Sequence, residues 1–307
     1  MSKVAIIVGS SGQDGTLLTE KLKHLEYCVI GVGRGDIDIS NADEVEKLII
    51  ESQPDEVYYL AAHHHSSEVY INNETELFKK SMDVQANAVV NFLDAIYRCK
   101  NNCRFFYASS CLIFKGSIDI PITENSSYYP ESFYAISKVT GGSVVKFYRE
   151  NKDIFASCGF LFNHESSLRS ERFLSKKITS FVASIITGHE TDKKLTLGDL
   201  NTKVDWGYAK DYVDAFWRIL QVKKPDDYIV ATGILHSVRD FVDIAFSCAG
   251  LDYSDYIKVD SKIISRNNNS RVGVPTKLKT DTNWEATLDF EEMVIKLVQT
   301  EIHNMDK

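Results

Sequence analysis

The chain has 307 residues, of which 44% are hydrophobic and 25% charged, and its formal net charge is −8. This length suits one large or two closely joined α/β domains, and the acidic balance argues against nucleic acid as a partner. No apolar run reaches membrane-spanning length, and the chain opens on a strand rather than a signal peptide, so we expect no membrane contact. The six cysteines form no CxxC pair, which is typical of reduced thiols in a cytoplasmic protein.

The first predicted elements are a strand over 4–8, a glycine turn and a helix over 16–25. Gly9, Gly12 and Gly15 follow the strand at three-residue spacing. A side chain in such a turn would block both its backbone angles and the close approach of a pyrophosphate, which the helix N-terminus also attracts. The motif therefore predicts a bound dinucleotide. The residues expected to contact it at this turn and after the third strand are Gly9, Gly12, Gln13, Asp14, Gly15, Leu60, Ala61 and Ala62.

Strands and helices alternate through the rest of the first half. The predicted strands cover 28–32, 56–60, 104–109 and 156–160, and the predicted helices cover 42–52, 74–99 and 134–151. Such alternation predicts an α/β fold, a Rossmann-type doubly wound parallel sheet with helices on both faces. The second half mixes helices near 172–187, 210–221, 238–249 and 290–302 with short strands near Leu195 and Tyr228. We expect a dinucleotide-binding domain at 1–160 and a smaller C-terminal α/β substrate-binding part at 161–307, with some segments interleaved.

The end of the second strand predicts which dinucleotide binds. An acid there hydrogen-bonds the ribose 2′-OH of NAD, whereas a nearby arginine accommodates the 2′-phosphate of NADP. The strand ends with Gly33, Arg34 and Gly35, and no acid stands at the usual position. Arg34 therefore favours NADP(H), with a solvated turn residue as the alternative interpretation. Asp38 and Ile39 are expected to flank the adenine.

Tyr134 and Lys138 stand four residues apart on one predicted helix, so their side chains share a face. A nearby cation lowers the pKa of a phenol, which allows Tyr134 to pass a proton to or from a carbinol oxygen while hydride moves on the nicotinamide. Ser110, at the end of the preceding strand, supplies a hydroxyl to the same oxygen. A solvated Tyr–Lys face is the alternative, and the upstream glycine turn favours catalysis.

These two motifs resemble those of the extended short-chain dehydrogenases/reductases. The second half is more narrowly similar to the GDP-mannose 4,6-dehydratases, and the resemblance covers nearly the whole chain. It implies a nucleotide-sugar substrate, with GDP as the first choice. It also implies that Asn163 and Lys177 contact the sugar diphosphate, Arg169 the nucleotide region and Arg266 a phosphate. The matching segments are 53–56 (QPDE), 161–166 (LFNHES), 176–178 (KKI), 205–207 (DWG), 209–213 (AKDYV), 231–233 (ATG) and 236–239 (HSVR).

One departure from the resembled family bears on the reaction. Where the dehydratases carry Thr-Ser-Glu, and the Glu removes the C5 proton, this chain carries Ser110, Cys111 and Leu112. Leu112 cannot remove a proton, while hydride transfer at C4 needs only Ser110, Tyr134 and Lys138. Ser110 and Cys111 also resemble the corresponding segment of the GDP-fucose synthases, which use a Cys and a His as an acid–base pair. The positions of that pair carry Leu112 and Leu168 in this chain, and neither side chain can transfer a proton. Cys111 is therefore interpreted as a packing residue.

Other departures concern the pocket and the assembly. His64 replaces a small substrate-facing residue of the family, and it is therefore expected to reshape the sugar site. A metal site at 63–65 is discounted, because adjacent residues on an extended chain point to alternate sides. Val204 stands where the family has an Arg beside the diphosphate, and Asn269 stands where it has a Glu near the nucleotide. The prediction that the nucleotide is GDP is therefore weaker than the prediction that the substrate is a nucleotide sugar. The shortened segment after Arg34 predicts a homodimer built on the helices that begin near Glu74 and Tyr134.

The leading hypothesis is an NADPH-dependent reductase of a nucleotide-linked 4-keto-6-deoxy sugar in surface-polysaccharide synthesis. A second is a dehydratase whose base is relocated to His64 or Glu165. A third is a C4 epimerase, which retains its cofactor. A fourth is a non-catalytic NADP-binding protein, against which the intact Ser110, Tyr134 and Lys138 argue.

Overall fold

The computed structural model describes residues 2–63, 73–100, 102–189, 194–260, 263 and 270–306. Its first half contains β1 (Val4–Val8), α1 (Gln13–His24), β2 (Cys28–Val32), α2 (Ala42–Ser52), β3 (Glu56–Tyr59), α3 (Glu74–Met82), α4 (Ala88–Arg98), β4 (Arg104–Ala108), α5 (Phe133–Lys152) and β5 (Ala156–Leu161). Its second half contains β6 (Asn163–Glu165), α6 (Leu174–Ile186), β7 (Leu195–Leu197), β8 (Lys203–Tyr208), α7 (Ala209–Ile219), β9 (Tyr228–Val230), β10 (Leu235–Ser237), α8 (Val238–Ser247), β11 (Ile257–Val259), α9 (Thr276–Thr282) and α10 (Phe290–Met305).

Six strands form one parallel sheet in the order β2-β1-β3-β4-β5-β9. The chain runs outward from β1 to β2 and then returns to the other side of β1 with β3. The strand order therefore reverses between β1 and β3, and in open α/β sheets ligands bind in the crevice that such a reversal opens at the carboxyl ends of the strands. The predicted Rossmann-type sheet is confirmed, and its switch point lies directly after the glycine turn.

Both faces of the large sheet are covered by helices. One face packs against α2, α4 and α5 through buried side chains such as Val45, Phe92 and Val145. The other packs against α1 and α7, with Leu18 and Phe216 in its core. Because the sheet is buried on both faces, its strands are apolar runs rather than alternating ones, which is what made them recognisable in the sequence.

The smaller part is a separate core built from the second half of the chain. Helices α6, α8 and α10 pack on one another around Val182, Phe241 and Val294. They cover a three-stranded sheet of order β10-β8-β6, in which β6 runs parallel and β10 antiparallel to β8. A two-stranded parallel sheet, β11-β7, lies beside it.

The two parts are interleaved along the chain. After β8 the chain returns to the large sheet, where α7 packs on α1 and β9 pairs with β5. A largely buried ion pair fixes this return, since the Arg149 guanidinium on α5 bonds both carboxylate oxygens of Asp227, at 2.7 and 2.9 Å. This bidentate geometry is the strong form of such a pair.

Most helices begin and end within a few residues of the boundaries predicted from the sequence. The predicted cap of α2 is also present, because the Asn41 side chain accepts from the Asp43 N–H. One difference is internal. The helix predicted over 74–99 is continuous, but its hydrogen-bond pattern changes to a π-helical turn at Asp83–Asn87, which separates α3 from α4. The short helix α9 was not predicted, because its threonine- and lysine-rich sequence has no apolar period.

All six cysteines are free thiols, and Cys103, Cys111 and Cys158 are buried. In the part of the chain that the structure describes, no helix combines the length and the apolar character needed to cross a bilayer.

Candidate active site

The glycine turn between β1 and α1 has room for backbone only. Gly9 has φ +91°, and a Cβ on it would lie 2.9 Å from the Ala61 nitrogen. A Cβ on Gly15 would lie 2.3 Å from the Gly9 carbonyl oxygen. Gly12 caps α1 without a side-chain hydrogen bond, so the first N–H groups of the helix are left to an anion. This cradle fits the pyrophosphate of a dinucleotide.

A buried polar network joins the start of α1 to β6. The Asp14 carboxylate lies 3.0 Å from His164 Nε2, while His164 Nδ1 lies 2.7 Å from the Phe162 carbonyl oxygen. Burial acts to lower the pKa of His164, but the Asp14 carboxylate outweighs it and holds that pKa above its ordinary value. Burial acts to raise the pKa of Asp14, but the His164 charge, the hydrogen bonds with His164 and Gln13 and the Arg169 charge together outweigh it, so that pKa is lowered. Since both ring nitrogens face acceptors, the imidazole is held as a cation.

Ser110, Tyr134 and Lys138 are brought together at the carboxyl ends of β4 and β5. The Tyr134 hydroxyl hydrogen-bonds the Ser110 side chain. The Lys138 ammonium donates to the Ala108 carbonyl oxygen at 2.6 Å and lies 5.8 Å from the centre of the Tyr134 ring. The arrangement supplies a proton donor, a second hydroxyl and an amine within one wall of a cleft.

The pKa values of the pair differ from the sequence prediction. Burial raises the pKa of Tyr134 to about 12, against the opposing effects of the Ser110 hydrogen bond and the Arg169 charge. Burial lowers the pKa of Lys138 to about 7. The sequence led us to expect a net lowering of the Tyr134 pKa, and the net shift is upward because desolvation dominates. A protonated phenol at neutral pH is the form that can donate a proton.

The end of β2 carries two charges rather than one. Arg34 is exposed there, as the NADP prediction requires. Asp36, which the sequence analysis missed, folds back so that its carboxylate accepts from the Gly33 N–H at 2.6 Å. Asp38 is exposed and accepts from Ser40 instead, and Ile39 packs against the large core.

A cleft of about 580 Å³ lies between the two parts, and Ser110, Tyr134 and Lys138 line it. The predicted residues Asp14, Leu60, Ala62, Asn163 and Arg169 also line it. Lys177 lies on α6 and is not among the lining residues, whereas His64 and Arg266 lie outside the described residues.

Four carboxylates among the described residues line this cleft, and protein donors hold each of them. Asp14 pairs with His164, and Asp199 accepts from the Asn201 N–H at 2.9 Å. Glu165 accepts from the Ser175 hydroxyl at 2.5 Å and lies 3.2 Å from Arg169 Nε. Asp205 accepts from the N–H groups of Thr232, Gly233 and Gly273 and from the Thr232 hydroxyl, at 2.6 to 3.2 Å.

Two residues that line the cleft, Asp205 and Arg271, were not predicted as site residues from the sequence. Asp205 stands between the apolar residues Val204 and Trp206 of β8, and an acid at such a position indicates a buried, hydrogen-bonded carboxylate. Arg271 reaches the cleft from the loop before α9, where its Nε donates to the Phe114 carbonyl oxygen at 2.9 Å. No local pattern marks Arg271, because its place depends on a contact between distant segments. Among the described residues no His, Cys, Asp and Glu side chains cluster in a way that could hold a metal ion.

A glycine turn at the switch point of a doubly wound sheet, followed by a Tyr–Lys pair on one helix, defines the extended short-chain dehydrogenases/reductases. A family model described as GDP-mannose 4,6 dehydratase matches residues 34–297. The GDP-mannose 4,6 dehydratase of Drosophila melanogaster is 33% identical over 99% of this chain and 87% of its own. The GDP-mannose 4,6 dehydratase 2 of Arabidopsis thaliana is 33% identical over 98% of this chain and 87% of its own. The chain belongs to the GDP-mannose 4,6-dehydratase family of nucleotide-sugar enzymes, which confirms the resemblance.

Solved structures share the fold at lower identity. RMD from Pseudomonas aeruginosa, complexed with NADPH, superposes with a TM-score of 0.86 at 19% identity, over 99% of each chain. The dTDP-glucose 4,6-dehydratase from Bacillus anthracis, complexed with NAD, superposes with a TM-score of 0.84 at 16% identity, over 99% of this chain and 98% of that one.

Proposed function

We propose that the protein is an NADPH-dependent reductase of a nucleotide-linked 4-keto-6-deoxy sugar, with GDP as the first choice of nucleotide. The observation that carries the proposal is the state of the four cleft carboxylates, each of which is already held by protein donors. Leu112, on the same wall, is aliphatic. Among the described residues, each cleft carboxylate already accepts a hydrogen bond from the protein, and the position of the family's base carries Leu112 instead. Hydride transfer to a C4 ketone needs no such base.

The chain's own residues supply the proton for this reduction. The nicotinamide cofactor, when bound, supplies the hydride. Tyr134 is protonated at neutral pH, and it donates to the oxygen that develops at C4. Ser110 holds the same oxygen, and Lys138, whose Nζ lies 5.8 Å from the centre of the Tyr134 ring, stabilises the phenolate left behind when it carries its proton. Asn163 and Arg169 line the cleft, and in this proposal they hold the sugar diphosphate and the nucleotide.

NADP(H) is the proposed cofactor. The glycine cradle fits its pyrophosphate, and the exposed Arg34 guanidinium at the end of β2 can pair with a 2′-phosphate. A fold neighbour, RMD from Pseudomonas aeruginosa, is complexed with NADPH. Asp36 opposes this preference to some extent, and its effect is testable separately from that of Arg34.

The deciding experiment offers the purified protein GDP-mannose with NADP⁺ and, separately, a GDP-4-keto-6-deoxy sugar with NADPH. Mass spectrometry follows the first reaction and absorbance of NADPH the second. We expect unchanged GDP-mannose and steady NADPH oxidation on the keto sugar. Loss of one water from GDP-mannose would overturn the reductase proposal. Leu112→Glu is the informative variant, because a carboxylate at that position introduces the missing base.

A dehydratase with a relocated base is the second candidate, and family membership favours it, since the matched relatives carry that name. Its base would be Glu165 or His64. The Oε2 atom of Glu165 accepts from the Ser175 hydroxyl and lies 3.2 Å from Arg169 Nε, which makes this carboxylate a less available base. His64 lies outside the described residues. Dehydration that is lost in His64→Ala and retained in Glu165→Gln would assign the base to His64.

A C4 epimerase and a non-catalytic NADP-binding protein remain as further alternatives. An epimerase would interconvert two nucleotide sugars with no net NADPH oxidation, so the absorbance assay separates it from a reductase. A non-catalytic protein would bind the cofactor and turn over neither substrate.

We also propose a cytoplasmic homodimer that acts in surface-polysaccharide synthesis. Helices α3, α4 and α5 expose Phe78, Tyr97 and Phe147, at 37%, 42% and 50% of their surfaces. Each is an exposed apolar side chain on the helices that this proposal assigns to the dimer interface. The six free thiols fit a reducing compartment. Light scattering tests the dimer, and Phe147→Lys should shift it toward monomer.

A further inference from the structure

The π-helical turn between α3 and α4 places one buried side chain between two walls of the active site. Gln85 lies in this turn and is fully buried. Its Oε1 accepts from the His63 N–H at 2.8 Å, and its Nε2 donates to the Ser137 hydroxyl at 2.7 Å. His63 ends the described segment after β3, and Ser137 is the residue before Lys138 on α5. The side chain therefore spans from the cofactor-facing segment to the catalytic helix.

The chain of hydrogen bonds continues to the catalytic tyrosine. The Ser137 hydroxyl donates to the Tyr134 carbonyl oxygen at 2.9 Å. The orientation of the Gln85 amide group is fixed by its partners. Because a backbone N–H can only donate, the Gln85 atom that faces the His63 N–H is the oxygen. One unbroken path thus runs from the His63 N–H through Gln85 and Ser137 to the backbone of Tyr134.

The main chain of the π turn is also linked to Lys138, through Tyr107. A π turn leaves main-chain carbonyls without their usual helical donor, and here the Gln85 carbonyl accepts from the Tyr107 hydroxyl at 2.7 Å. The Tyr107 ring lies 4.8 Å from the Lys138 ammonium. The two helices can approach this closely because residue 141 is glycine, where a Cβ would lie 2.1 Å from the Gln85 oxygen.

We propose that Gln85 is a positioning residue, which holds the segment 60–63 in register with the helix that carries Tyr134 and Lys138. Leu60 and Ala62 of that segment line the cleft, and Ala61 contacts the glycine turn. A shift of either wall would therefore change the distance between the cofactor and the proton donor, to which reaction rates are sensitive. The inference rests on the proposed roles of Tyr134 and Lys138.

The test compares Gln85→Leu and Ser137→Ala with the matched control Ser143→Ala. Ser143 lies on the same helix, and its hydroxyl bonds only the Val139 carbonyl among the hydrogen bonds described for it. Three measurements are made on each protein: amide hydrogen exchange of the peptide that ends at His63, kcat with KM for reduction of the keto sugar, and NADPH affinity by fluorescence titration.

Ser137→Ala removes a single oxygen atom from a residue that does not contact His63 directly in the hydrogen bonds described. It therefore tests the coupling even if Gln85→Leu folds poorly. We expect exchange at His63 to rise about tenfold in both variants and not in Ser143→Ala. We expect kcat to fall about 10- to 100-fold with NADPH affinity changed less than about threefold, and the double variant to be no worse than the worse single one.

Wild-type exchange at His63 in Ser137→Ala, or additive losses in the double variant, would overturn the proposal. The exchange measurement needs no turnover. If the wild-type protein reduces no keto sugar but the two sites remain coupled in exchange, the proposed function fails while the positioning role stands.

Discussion

The two ends of the large sheet differ in their buried polar groups. At the amino end, Glu56 is fully buried and accepts from Lys3, Tyr27 and Gln221 at 3.1 Å each and from the Tyr58 hydroxyl at 2.6 Å. At the carboxyl end, the buried hydroxyl oxygens of two cleft-lining residues, Ser109 and Thr202, have no hydrogen-bond partner within the described residues.

This difference separates stability from function. A buried carboxylate that is fully satisfied favours the folded state and has nothing left to offer a ligand. Buried hydroxyls without a partner cost free energy unless a ligand completes them. The carboxyl end also holds the two strongly shifted groups of the proposed reaction, Tyr134 and Lys138. Variants at the two ends should therefore separate activity from stability.

The largest effect is expected from Tyr134→Phe at the carboxyl end. Removing the hydroxyl removes the proposed proton donor, and such groups contribute about 10²–10⁴ in rate. Turnover of the keto sugar should fall by that factor while NADPH affinity and melting temperature stay close to wild type. Tyr129→Phe, at an exposed tyrosine, is the control and should keep full activity. Near-normal turnover in Tyr134→Phe would place the proton donor elsewhere.

Glu56→Ala at the amino end should do the reverse. It leaves several buried donors without an acceptor, which should lower the free energy of unfolding by about 2–4 kcal/mol. Chemical denaturation measures this, with Glu51→Ala as control, since Glu51 is two-thirds exposed in its pair with Lys47. At temperatures where the variant is folded, kcat should stay within about twofold of wild type. A large loss of kcat in fully folded protein would contradict the separation of the two ends.

The Asp14–His164 pair should make the carboxyl end sensitive to pH. The pKa of His164 is raised above 6.5 and that of Asp14 is lowered below 3.8. Their contribution to stability is therefore complete between those two ordinary values. It is lost as pH rises through the raised His164 pKa, or falls through the lowered Asp14 pKa. The nearby Arg169 charge acts to lower both pKa values.

Unfolding free energies of wild type and Asp14→Asn, measured against pH without cofactor, check this prediction. The two curves should differ most at about pH 5–6 and converge above the raised pKa of His164. The exposed His24, on the same helix as Asp14, gives the control variant His24→Gln. A constant difference across the whole range would show that the pair is not charged.

The smallest effects are expected at the end of β2. Arg34→Ala should lower the preference for NADPH over NADH by about tenfold, because a guanidinium–phosphate pair is lost. Asp36→Ala should raise that preference by a similar factor, since it removes a negative charge beside the 2′ position. Titration of both variants with both cofactors measures the ratio. Equal preference in wild type and Arg34→Ala would remove the basis for choosing NADP(H).

The sequence predicted what depends on local spacing. Gly9, Gly12 and Gly15 are close in the chain, and Tyr134 and Lys138 share one helical face, so their geometry follows from backbone rules alone. Gln85 and Asp36 escaped prediction for a physical reason. The role of Gln85 depends on a π turn meeting α5, and that of Asp36 on a turn folding back to Gly33.

Burial was the other quantity that the sequence could not supply. The four-residue spacing placed Lys138 near Tyr134, and the expected consequence was a lowered phenol pKa. Desolvation of both groups reverses that direction, and its size depends on β4, β5 and the second half of the chain packing around them. The same limit applies to Asp205, whose four donors come from segments far apart in the sequence.

The interleaving of the two parts constrains the order in which the chain can fold during its synthesis. β5 ends at Leu161, but its outer partner β9 begins only at Tyr228, after most of the strands of the smaller part have been made. Until then a growing chain carries an open strand edge on β5 and an Arg149 whose partner Asp227 has not emerged. Folding of the dinucleotide-binding half is therefore completed late on the ribosome, and a fragment cut at residue 160 would expose a strand edge that is prone to aggregation.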